Sequence, residues 1–205
     1  MNVGDHDAFV ERAVASYTED GGGIDPLAVA GVYDELAELA SAAGHPDQSQ
    51  QHRRRALTCR IAVLGAEHPE VVTTQAALAV TLVELGHDEE AEVLLRRVLE
   101  LFESTQAPDS DEVALTAQRL AGVLARRNDT AAIRLYQRAL SISRRLLGAE
   151  HSRVATILHD LALLYDRTGR EEEAGALRAE ARAILESGDR RVRPGRAPDR
   201  LLPMP

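Results

Sequence analysis

Apolar residues recur along this chain at steps of three and four, and Gly, Pro or clustered acids interrupt them at regular intervals. From Leu135 to Ala174 the pattern predicts a helix, a short loop, a second helix, a tight turn and the start of a third. The same pattern returns through the rest of the sequence. The leucines that open LAELAS, LAVTLV, LAGVLA and LALLYD are Leu36, Leu78, Leu120 and Leu161, spaced 42, 42 and 41 residues apart. A period in that range filled by two helices predicts an all-α solenoid.

Punctuation sets the expected boundaries. Gly44, Gly86, Asn128 and Gly169 stand where the first helix of each pair ends, and these residue types accept the left-handed conformation that closes a helix. Second helices are expected over roughly 46–64, 88–104, 129–147 and 171–186, each opened by acidic residues near its positive end. This gives repeats at 25–65, 68–105, 110–148 and 151–187. The third repeat is one residue short around Asp129, which accounts for the spacing of 41. Ahead of them, residues 5–20 place Phe9, Val10, Ala13, Val14 and Tyr17 on one helical face, and FVERAV resembles LYQRAL at Leu135–Leu140. That segment reads as a half-repeat, a second helix without its first. Residues 1–187 are therefore expected to form one solenoid of about nine antiparallel helices, with an Arg/Pro-rich tail over 188–205 expected to be disordered.

Small residues explain how the helices would pair. Ala37, Ala79, Ala121 and Ala162 follow the repeated Leu, and Ala91, Ala132 and Ala174 sit in the partner helices. Small side chains at such points let helix axes approach while the larger rows interlock. In the first repeat Ser49 replaces the Ala.

Composition supports this reading and narrows the chemistry. The 205 residues are 44% hydrophobic and only 3% aromatic, without Trp. Formal net charge is −9, every basic residue is Arg, and the tail is net positive, so the body is more acidic still. Such a surface disfavours polyanion binding. The single cysteine, Cys59, has no intramolecular partner and suits a reducing compartment. No leader-like opening or membrane-length apolar run is present, and the expected location is the cytoplasm.

The period, the Leu-Ala pair, the turn Gly and the later Ala resemble the tetratricopeptide repeat. The repeat length and the connector Leu64-Gly65-Ala66-Glu67-His68-Pro69-Glu70-Val71 resemble its kinesin-light-chain type. The resemblance spans about Asp5 to Ser187 and is weakest in the first full repeat, where Ser49 and Arg53 depart from the pattern. It implies a right-handed superhelix whose first helices line a concave groove that binds peptides. The implied groove positions are Gly31, Asp34, Glu38 and Ser41 in the first repeat and Thr73, Ala76, Val80 and Glu84 in the second. They continue with Leu115, Gln118, Gly122 and Arg126, then Thr156, His159, Leu163 and Arg167, so the groove is expected to run from acidic to basic. Two family features are missing. The Lys/Asn/Arg set that grips a C-terminal carboxylate is absent, and the paired Asn of kinesin-light-chain first helices is replaced by Ala76-Ala77, Gln118-Arg119 and His159-Asp160.

Other polar clusters read as structural. His159-Asp160, with Asp166 and Arg167 nearby, lacks the nucleophile or metal a catalytic pair needs, and reads as partner recognition or solvation. His45, His52, His68 and His151 lack metal-ligand spacing and read as loop and surface residues. Arg53-Arg54-Arg55, Arg96-Arg97 and Arg144-Arg145 read as solvated faces paired with Glu at i±4. Gly21–Gly23 is not a phosphate loop, because no Lys-Ser/Thr follows it. The tail has two possible docking surfaces, an acidic partner or the acidic body. The sequence thus predicts a non-enzymatic adaptor that binds a protein or peptide partner, with no cofactor, metal, nucleic acid or membrane. The alternatives are a self-assembling or structural module, which makes a homo-oligomer possible, and a metal-dependent enzyme using His159 and Asp160.

Overall fold

The computed structural model describes residues 25–105, 107–127 and 130–192. They form eight helices: α1 (Pro26–Ala42), α2 (Pro46–Leu64), α3 (Pro69–Glu84), α4 (Asp88–Thr105), α5 (Asp111–Arg126), α6 (Ala131–Leu147), α7 (Ser152–Arg167) and α8 (Glu171–Val192). Among the described residues there is no strand. The half-repeat expected over 5–20 and the Asn128 turn lie outside the described residues.

Local chemistry sets the helix ends. Proline opens α1, α2 and α3, where a missing N–H leaves no bond unmade. Asp25 caps α1 by accepting the Leu27 N–H at 2.9 Å. His68 and His151, the repeated connector histidines, cap α3 and α7 in the same way, each Nδ1 accepting the N–H two residues on. At the other end, Gly86 turns the chain with φ of 75°. This lets the His87 N–H reach back to the Leu82 carbonyl at 2.9 Å. His45 to Ala40 repeats that bond between α1 and α2, and Arg170 to Tyr165 between α7 and α8.

Packing follows the small-residue rows. Ala37, Ala79, Ala121, Ala162, Ala91, Ala132 and Ala174 are all 0% exposed. Leu78, Leu120 and Leu161 are buried with them, and one apolar core runs from α3 to α8. Leu36 departs from the row at 39% exposed. The first hairpin has its own small core of Ala30, Ala56 and Cys59, with Val29 and Tyr33 packed on it, while Leu57 of α2 packs against the main core. Each helix packs on the next in the chain, and α5 also touches the first helices on either side, α3 and α7. That stacking is a solenoid's.

Two local expectations need correction. The i±4 pairing holds for Arg96 with Glu92, but Arg54 bonds Glu90 on the neighbouring second helix and Arg144 bonds Glu180. Parallel second helices bring charges about 36 residues apart side by side, a proximity with no local sequence signal. The last helix continues past residue 187 to Val192.

Candidate functional site

Successive first helices leave clefts between them on one side of the stack. The cleft between α3 and α5 has a volume of about 420 Å³. Val80, Val83 and Leu115 form its walls, Leu95, Val123 and Tyr136 its floor, and Glu84, Gln118, Arg119, Arg126 and Asp160 contribute the polar groups. Gly122 lines the cleft. A Cβ there would sit 3.6 Å from the Tyr136 hydroxyl, an ordinary contact, so the helix surface is bare without packing requiring it.

Glu84 and Arg126 are exposed, whereas Asp160, Tyr136 and Arg119 are shielded from solvent. Burial pushes the Asp160 carboxyl up from its usual range, against the opposing effects of His159 and a hydrogen bond from the Gln118 side chain. Burial, then the neighbouring Asp160, raises the Tyr136 phenol, which stays neutral. Burial followed by repulsion from Arg153 and Arg53 lowers the Arg119 guanidinium. Desolvated donors and acceptors around an apolar cleft suit recognition of a partly polar ligand surface.

A second cleft of about 330 Å³ lies between α1 and α3, with Asp34, Glu38, Arg53, Arg60, Thr73 and Ala77 among its lining residues. Asp34 pairs with Arg60 at 2.6 Å, and Arg60 also donates to Thr74 at 2.9 Å. The Arg53 Nε is buried without a hydrogen-bond partner among the described residues. A third hollow of about 510 Å³ lies against α7 and α8, lined by Thr156, His159, Arg182 and Leu185 with three others.

The sequence-predicted positions divide among these features. Asp34, Glu38 and Thr73 line the cleft between α1 and α3; Val80, Glu84, Leu115, Gln118, Gly122 and Arg126 line the cleft between α3 and α5; Thr156 and His159 line the hollow against α7 and α8. Leu163 is open to solvent at 48% exposed. Ala76 is buried at 8% exposed and belongs to the core, while its neighbour Ala77 faces the cleft. Arg126 and Arg167 are already engaged. Arg126 pairs with Asp88 at 2.5 Å and donates to the Val83 carbonyl at 3.3 Å. One repeat on, Arg167 donates to the Ala125 carbonyl at 2.5 Å. Asp166 pairs with Arg178. Sequence reasoning missed Arg119, Arg53, Arg60 and Tyr136. Three of these come from second helices, which the repeat pattern assigned to the opposite side: Arg53 and Arg60 from α2, and Tyr136 from the core row of α6.

The family model for the tetratricopeptide repeat matches residues 28–104 and 108–187. This chain belongs to the tetratricopeptide repeat family. In fold its repeats are similar to kinesin-light-chain-like ones. No curated protein matches it. Among solved structures it is similar to BtubC (BKLC) from P. vanneervenii, at 23% identity and a TM-score of 0.74, covering 98% of this chain and 82% of that one. A putative kinesin light chain from Podospora anserina with nearly identical TPR-like repeats also matches at 23% identity, with a TM-score of 0.68 and coverage of 90% and 87%. The apo form of RapI matches at 16% identity and a TM-score of 0.71, over 89% of this chain and 64% of that one. At these identities the likeness concerns the tetratricopeptide fold. No described helix is long and apolar enough to cross a membrane.

Proposed function

We propose that this tetratricopeptide repeat protein is a non-enzymatic adaptor whose first-helix face holds a segment of a partner protein. The observation that carries the reading is the open cleft between α3 and α5, with apolar walls and hydrogen-bonding groups around them. Gly122 supports it. Glycine inside a helix is about 1 kcal/mol less favourable than Ala, and a Cβ would fit here. A bare helix surface over Tyr136 leaves room for an incoming side chain, the way repeat scaffolds use their inner faces.

In this reading the stack is a right-handed superhelix of nine helices, residues 5–20 included, and its curvature joins the three clefts into one groove. Val80, Glu84, Gln118, His159 and Leu163 meet the partner in the middle and C-terminal parts, and Asp34, Glu38 and Thr73 at the N-terminal part. Ala77 takes the contact assigned to Ala76. Arg126, Asp166 and Arg167 shape the walls through the bonds they already make. The net charge of −9 argues for a protein partner rather than nucleic acid. The adaptor works in the cytoplasm without cofactor or metal.

The test is capture of partners from native extract by the wild-type chain and by Gly122→Leu, which fills the cleft. The variant should keep the wild-type helical signal and lose the enriched partner. A folded Gly122→Leu that captures the same partner equally well contradicts the reading.

A further inference from the structure

One face of α1 is bare where every later repeat buries its counterpart. Val32, Leu36 and Leu39 are 56%, 39% and 67% exposed. They lie at i, i+4 and i+7, a single stripe along the helix. Their counterparts are Thr74, Leu78 and Thr81 in α3, Thr116, Leu120 and Val123 in α5, and Ile157, Leu161 and Leu164 in α7. All nine are at most 5% exposed. In each of those repeats the preceding second helix packs on the first helix: α2 on α3, α4 on α5, α6 on α7. Among the described residues nothing precedes α1.

The sequence ahead of α1 carries a matching face. Phe9–Val14 aligns with Leu135–Leu140 of α6, the helix that packs on α7. On that alignment Val10, Ala13, Val14 and Tyr17 match Tyr136, Ala139, Leu140 and Ser143, all four of them buried in α6. Residues 18–24 connect this stretch to the Asp25 cap, a longer link than residues 148–151 between α6 and α7. The chain length therefore permits the same antiparallel placement.

The opposite end of the stack is closed by other means. α8 has Arg178 and Arg182 where α6 has Tyr136 and Leu140, and both arginines are exposed. Solenoids need such a polar outer face at their ends. α1 has no equivalent substitution, since its outer stripe is Val and Leu. Head-to-tail stacking of two chains would place that stripe on the arginines, which disfavours a second copy as the occupant.

We propose that residues 9–17 of this chain seat on the Val32–Leu36–Leu39 face of α1 and cap the N-terminal end of the solenoid. The inference concerns this end face and stands apart from the groove between α3 and α5. Hydrogen–deuterium exchange on the full chain, with light scattering alongside, tests it. Residues 9–17 should exchange several-fold more slowly in the wild type than in Leu36→Glu, with both proteins monomeric. Val10→Glu should give the reciprocal result, faster exchange over residues 32–39 while α5 to α8 stay unchanged. This second variant keeps the test decisive if Leu36→Glu unfolds the first hairpin. Unprotected exchange at residues 9–17 in the wild type overturns the proposal. So does protection of the stripe that arises only at concentrations where scattering reports a dimer.

Discussion

Ser49 occupies the contact that Ala91, Ala132 and Ala174 fill in the later repeats, and it is equally buried. Its hydroxyl has no hydrogen-bond partner among the described residues. A buried polar group left unpaired is destabilising. Ser49→Ala should therefore stabilise the protein by about 1 kcal/mol, read as a higher urea midpoint with an unchanged slope. Asp160 supplies a second test. Its folded-state pKa is raised, so folding disfavours the ionised form. The penalty is present above the folded pKa and vanishes below the unfolded one. Asp160→Asn, which still accepts from Gln118, should be more stable than wild type at neutral pH. The difference should shrink as pH falls through the carboxylate range, and a difference that grows on acidification would refute the assignment.

At the scale of helices, two devices repeat. His68 and His151 cap α3 and α7 through Nδ1. His151→Ala should cost about 1 kcal/mol, as loss of an N-cap does, whereas His151→Asp should be tolerated because Asp is itself a favoured cap. Thermal melts of the pair check this. The other device is the Arg that reaches back one repeat. Arg126 bonds the Val83 carbonyl and Arg167 the Ala125 carbonyl, equivalent positions near the ends of α3 and α5. Carbonyls at the C-terminal, negative end of a helix favour a cation. Arg167→Ala should destabilise by about 1–3 kcal/mol and raise hydrogen exchange at the α5–α7 junction while sparing α1 and α2. These arginines show what the sequence hid. Repeat position assigned them to the groove, but their acceptors lie about 40 residues away. No local pattern carries such a pairing. Ala76 and Ala77 show a finer limit: neighbouring positions on a helix differ by about 100°, so a face drawn from spacing alone can fall one residue away from the one that opens on the cleft.

Across the whole molecule, the legible part was the spine. The Leu-Ala rows repeat because each hairpin must bury the same face against its neighbour, and that constraint fixes residue type at a fixed period. It held from α3 to α8, where one core runs through. It weakened in the first hairpin, where Ser49 and Arg53 break the row and a separate small core forms. The cleft was only half legible. Its first-helix members follow the period, but its floor includes Leu95 and Tyr136 from second helices. Packing decides where a second helix reaches through, and packing has no period of its own. The scaffold reading makes one spatial demand, that a partner segment cover the first helices and leave the second helices open. Hydrogen exchange of the chain, alone and with its captured partner, measures this directly. The predicted result is slowed exchange in α3, α5 and α7 around Val80, Gly122 and Leu163, with α4 and α6 unaltered. Slowed exchange confined to α4, α6 or the ends of the stack would contradict it.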